Sequence, residues 1–124
     1  MARSQLRSKR KASGGRYHSA RGKRKSELAG HPTNTKLGER KSRTSRGLGG
    51  KKKQSLLSAN EVNVADKNGK FTKVKILTVL ENPANPHLVR RNIITKGAVV
   101  KTDLGKVKIT SRPGQEGTVN GILV

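Results

Sequence analysis

Nearly all the large apolar side chains of this 124-residue chain lie in its second part, and that decides where a core can form. Up to Ser55 only ten residues are hydrophobic. The large ones, Leu6, Tyr17, Leu28, Leu37 and Leu48, stand alone, with neither helical nor alternating spacing between them. From Leu56 onward there are 27. So few apolar groups cannot offset the entropy of ordering a backbone, and Gly14, Gly15, Gly22, Gly30, Gly38, Gly47, Gly49 and Gly50 interrupt any helix that starts. Residues 1–55 are therefore expected to be a basic extension without regular structure, disordered when free, and residues 56–124 to form one small domain.

Charge divides the opposite way. Of 29 Lys and Arg, 18 precede residue 56, with only two of the seven acidic residues, and the first of these is Glu27. A formal charge of +22 exceeds what solubility needs and repels itself in a compact fold, so a polyanionic partner is the leading inference. Nucleic acid supplies one in bulk, since each phosphate neutralised releases a condensed counterion. An anionic membrane surface is the rival. No apolar run approaches the roughly 18 residues of a membrane span, and "MARSQLRSKRK" lacks the apolar middle of a secretory signal, so the chain is expected to stay inside the cell. Without cysteine it has no disulfide, thiolate nucleophile or zinc–thiolate site.

The second part reads as short strands between turn signals. "LLSANEVNVAD" suggests a strand, Asn68-Gly69 a two-residue type I′ hairpin turn, and "FTKVKILTVL" the return strand. Pro83 and Pro86 in "ENPANP" break pairing and predict a loop. "NIITKGAVVKT" predicts a strand or strand pair bent at Gly97. In "KVKITSR", Val107, Ile109 and Ser111 alternate with Lys106, Lys108, Thr110 and Arg112, giving one buried and one cationic face. Pro113-Gly114 fits a type II turn, and "TVNGILV" a last short strand. Regularly spaced strands over about 70 residues, with almost no helical pattern, predict an all-β fold, a small antiparallel β-barrel whose closure hides its edges. With one Phe and no Trp, aliphatic side chains must fill it.

The strongest chemical signal is the cationic stretch holding Arg3, Arg7, Lys9, Arg10, Lys11, Arg16, Arg21, Lys23, Arg24 and Lys25, in two blocks joined at Gly14-Gly15. Guanidinium forks reach phosphates bidentately and glycines let backbones approach. The bland alternative is a solvated tail or import signal. Tyr17 and His18 stand between the blocks, where the Tyr17 ring could stack on an unpaired base or cover the barrel. Arg90 and Arg91 follow the proline loop, so with Lys96 and Arg112 they would extend the basic surface onto the domain. His18, His31 and His87 are too scattered for a metal site, and "GLGGKKKQS" lacks phosphate-loop spacing and reads as a flexible hinge. No paired carboxylates or nucleophile–base set is visible, so no catalysis and no cofactor are expected.

Two long segments, "RSKRKASGGRYHSARGKRKSELAGHPTNTKLGERK" and "ENPANPHLVRRNIITKGAVVKTDLGKVKITSRPGQEGTVNGILV", together resemble the archaeal and eukaryotic-type ribosomal proteins numbered eight of the small subunit, in the short archaeal form. The resemblance implies a β-barrel with a long N-terminal extension, no catalytic activity, and a cytoplasmic place in the small ribosomal subunit. The implied partners are small-subunit ribosomal RNA and neighbouring ribosomal proteins, with no membrane and no small-molecule substrate. It implies RNA contacts along Arg3 to Lys25, at Thr35 and Lys36 in "PTNTK", and at Arg90 and Arg91. A DNA-compacting protein, the first rival, should show long amphipathic helices or bending wedges; an RNA-modifying enzyme, the second, needs an acid–base pair. Neither is visible.

Overall fold

Alternation of apolar and polar residues produces the barrel strands of the computed structural model, which describes residues 8–18, 21–25, 28–66 and 69–124. By contact the chain divides into two units, 1–32 and 33–124. In the second, strands β1 (Lys36–Leu37), β2 (Lys41–Arg46) and β3 (Lys52–Ala59) form a sheet in the order β1-β3-β2. Strands β4 (Glu61–Ala65), β5 (Phe71–Glu81), β6 (Val99–Thr102), β7 (Gly105–Ile109) and β8 (Asn120–Leu123) close into a barrel in chain order. The only α-helix among the described residues is one turn, α1 (His87–Arg90).

The all-β barrel is as the sequence predicts, with one difference in pairing. Four neighbouring pairs are antiparallel, while β4 and β8 close the ring in parallel, matching Asn63 with Asn120, Val64 with Gly121 and Ala65 with Ile122. Five strands laid alternately up and down must leave one like-directed pair. The core is aliphatic: Val62, Val64, Ile76, Val79, Val100, Val107 and Ile109 pack with Leu56, Ile94 and Val119, while Phe71 is 75% exposed. Val107, Ile109 and Ser111 are buried and Lys106, Lys108, Thr110 and Arg112 exposed, as period two requires.

Several boundaries differ from expectation. β3 runs through Ser55, where the change of composition falls, and β1 and β2 lie in the segment expected to lack regular structure. Those strands take their order from backbone pairing and from an anchored base rather than from an apolar face of their own: β2 is exposed at all six residues, whereas Leu56 of β3 is in the core. "LLSANEVNVAD" is two strands, broken at Asn60. Of "NIITKGAVVKT" only β6 joins the barrel, after a bend where Gly97 has φ +85°. The β4–β5 hairpin closes between Asp66 and Lys70, whose Asp66 N–H to Lys70 O bond is 2.9 Å, with Gly69 donating to Asp66 O at φ +75°. Gly69 takes a left-handed conformation there; Asn68, the other residue of the expected type I′ turn, lies outside the described residues. Gly114 does not take a positive φ, and both Gln115 and Glu116 donate to Arg112 O, so this turn winds helically instead of adopting type II.

Candidate nucleic-acid interface

In the N-terminal unit the Gly14-Gly15 joint is a folded turn. Lys11 N–H reaches Gly15 O at 2.8 Å and Gly14, at φ +84°, donates to Lys11 O, the same bond pattern that closes the β4–β5 loop. Arg10 bridges Arg16 across this miniature hairpin and Tyr17 N–H reaches Lys9 O, so sequence-distant cations come together. Lys9, Arg10 and Arg16 line a cleft of about 300 Å³. The Lys11 ammonium lies 5.8 Å from the centre of the Tyr17 ring, which is 45% exposed; this cation–π contact uses one face of the ring. His18, Arg21, Lys23, Arg24 and Lys25 are exposed, and Arg21 also donates to Gly22 O. Arg3 and Arg7 lie outside the described residues.

On the second unit, Arg90 and Arg91 sit at the end of α1, fixed by the backbone that follows. Asn92 N–H bonds Val89 O and Ile93 N–H bonds Leu88 O, with Asn92 at φ +49°, the paired carbonyl cap that ends a helix on a left-handed residue. Pro86 occupies the N-cap, so the expected loop leads into a helical turn. Asn92 O accepts from Leu37 N–H and Thr35 O from Ile94 N–H, which laces Lys36 beside this segment. Lys36, Arg90 and Arg91 are exposed. Thr35 is buried, 2% exposed, and its hydroxyl donates to Leu56 O at 2.6 Å. It ties β3 to the chain entering β1. Lys96 and Arg112, 16 positions apart, line one groove of about 210 Å³ together with Thr33, Asn34 and Gln115.

Sequence reasoning passed over the β2–β3 hairpin, read as a flexible hinge. Gly47 N–H bonds Lys51 O, Gly49 and Gly50 take φ near +70° and +75°, and Leu48 at the tip is 98% exposed. Two cationic runs flanking a glycine cluster were the available signal. Within the barrel, Lys101 stands opposite Lys106 in the β6–β7 ladder, both exposed. Like charges directly opposite in a ladder destabilise it, yet three such pairs occur among the described residues: Arg10 with Arg16, Arg46 with Lys52, and Lys101 with Lys106. By contrast Lys73 meets a carboxylate, Glu61, at 2.5 Å. Among the described residues no three His, Cys, Asp or Glu side chains gather as a metal site would need.

The second unit is thus a small aliphatic barrel with exposed cationic side chains on its strands and on the β2–β3 hairpin. The chain belongs to the ribosomal protein S8e family, whose model matches residues 4–124. It is 50% identical over 121 residues, 97% of each chain, to the small ribosomal subunit protein eS8 of Methanocorpusculum labreanum. It is likewise 50% identical over 125 residues, the whole of each chain, to eS8 of Methanobrevibacter smithii, and 47% identical over 118 residues, 94% of each, to eS8 of Methanosarcina barkeri.

Proposed function

We propose that this chain is a structural constituent of the small ribosomal subunit in the cytoplasm, and that it binds and stabilises folded ribosomal RNA through phosphate contacts, supporting assembly and translation. Membership of the S8e family and the names of the relatives support the placement. The observation that carries the phosphate reading is the set of like-charged cross-strand pairs, each of which is repulsive alone and becomes favourable with an anion between its members. The basic stretch through Lys25, the Lys36–Arg90–Arg91 edge and the Lys96–Arg112 groove supply the remaining contacts. The first 55 residues act as the RNA-binding extension, ordered by RNA where they lack a core of their own, and the barrel docks on the RNA surface.

The mechanism is counterion release joined to shape. Neutralising phosphates lowers the repulsion between RNA helices that assembly brings together, and neighbouring small-subunit proteins complete the surroundings. Gradient sedimentation of a lysate containing the tagged chain tests this. Comigration with the small-subunit peak, lost on ribonuclease treatment, is expected. A chain that stays with free protein at physiological salt sinks the proposal.

A further inference from the structure

The β2–β3 hairpin makes the least sense as part of a free protein. Both faces of its outer portion are exposed, and a two-stranded ribbon with no apolar face is marginal in water. Its anchors among the described residues lie toward its base, with the Gln54 side chain against Gly117 the outermost. Leu56 is buried and its N–H bonds Pro113 O, the Arg40 guanidinium donates to Gly117 O at 3.2 Å, and the Ser58 hydroxyl donates to Glu39 O. Beyond that base the register places Arg43 opposite Ser55, Ser45 opposite Lys53, and Arg46 opposite Lys52. Because faces alternate along a strand, Arg43 and Lys53 belong to one face and Arg46 and Lys52 to the other. Neither Arg46 nor Lys52 has a side-chain hydrogen bond or ion pair among the described residues. The exposed Leu48 caps the ribbon, and Gly49 and Gly50 beside it stand in open space.

We propose that this ribbon is a second RNA-binding element, whose cations clamp phosphates on both faces and whose Leu48 packs against bases opened at a bulge. The inference rests on the RNA-binding reading above and deepens it, specifying how residues 41–55 of the extension engage RNA. Cations on both faces fit a ligand that surrounds the ribbon, as the two walls of a groove do. An A-form duplex keeps its deep groove too narrow for side chains, so an interruption in the helix is the place that admits a strand pair. An apolar wedge at a tip of small residues suits unstacked bases, which carry no charge.

The test uses the full chain at several salt concentrations with two probes, an RNA duplex carrying a bulge and the same duplex without it. Arg46→Thr/Lys52→Thr should lower the slope of log affinity against log salt by about 1.5–2, since each lost phosphate contact removes roughly 0.9. The same variant should melt higher than the parent in low salt without RNA, because it exchanges a repulsive pair for a favourable Thr–Thr pair. Leu48→Ala should bind the bulged probe about tenfold more weakly and leave the continuous duplex unchanged. Arg10→Ser/Arg16→Ser serves as the comparison. If it lowers the slope while Arg46→Thr/Lys52→Thr does not, the ribbon is no RNA site although the protein still binds RNA. If the parent shows no salt dependence, the RNA-binding reading itself fails. A lowered melting point for Arg46→Thr/Lys52→Thr makes those cations structural and overturns the clamp. Equal behaviour of Leu48→Ala on both probes turns the tip toward a protein neighbour and overturns its role on RNA.

Discussion

Gly121 sits in the seam that closes the barrel, paired with Val64 of β4 on one side and Ile109 of β7 on the other. A Cβ there would stand 2.5 Å from Val107 Cγ1 and 2.9 Å from Lys108 O. Ordinary contacts between carbons lie near ~3.5–4.0 Å, so the overlap with Val107 is about 1 Å. Neither neighbour yields easily, since Val107 is fully buried with a β-branched side chain and Lys108 O belongs to the backbone of β7. Overpacking of this kind costs about 1–3 kcal/mol, and a rigid backbone neighbour places Gly121→Ala in the upper half, about 2–3 kcal/mol. Gly121 has no positive φ, so the cost is steric alone. At about 4–8 °C per kcal/mol for a domain of this size, the thermal midpoint should fall by roughly 10–20 °C, read by circular dichroism without RNA. Val107→Ala in the same chain relieves one overlap and leaves the other, so the double variant should lose less than the sum of the two by about 1 kcal/mol. A Gly121→Ala midpoint within about 3 °C of the parent would refute the close packing of the seam.

Two further substitutions separate support from contact. Thr35→Val removes the buried bond to Leu56 O and should cost about 1–3 kcal/mol in urea unfolding, while leaving the salt slope of RNA binding unchanged; a changed slope would place Thr35 at a phosphate. Asn92→Gly should be tolerated, whereas Asn92→Ala should cost about 1 kcal/mol and speed hydrogen exchange at the Ile93 amide, because Asn92 holds the left-handed position of the cap behind Arg90 and Arg91. Equal exchange in the two variants would remove that role.

What was legible in the sequence followed from burial. The alternation from Lys106 to Arg112 gives β7 with its faces assigned, because one face meets the core. "KSRTSR" has no apolar period, and its strand arises from pairing with β3 and from tethers at Arg40 and Leu56, contacts made across long stretches of chain. The same limit applies to Thr35, whose hydroxyl finds its acceptor 21 residues away. Beside Lys36 it reads as a polar surface residue. The pair Asn68-Gly69 marks where the chain turns, but the Asp66–Lys70 closure depends on which register the flanking strands prefer. Arg90 and Arg91 are recognisable as a basic pair, while the turn of helix that presents them is too short to carry a periodic signal.

The parallel seam between β4 and β8 also sets an order of events during synthesis. β8 is made after the other four strands of the ring, so β4 and β7 each keep an open edge until residues 120–123 have been added. The cationic hairpins at residues 9–17 and 41–59 come earlier in the chain, and the pairing within each needs nothing from β8. A nascent chain thus carries its most cationic stretches before it can complete its barrel.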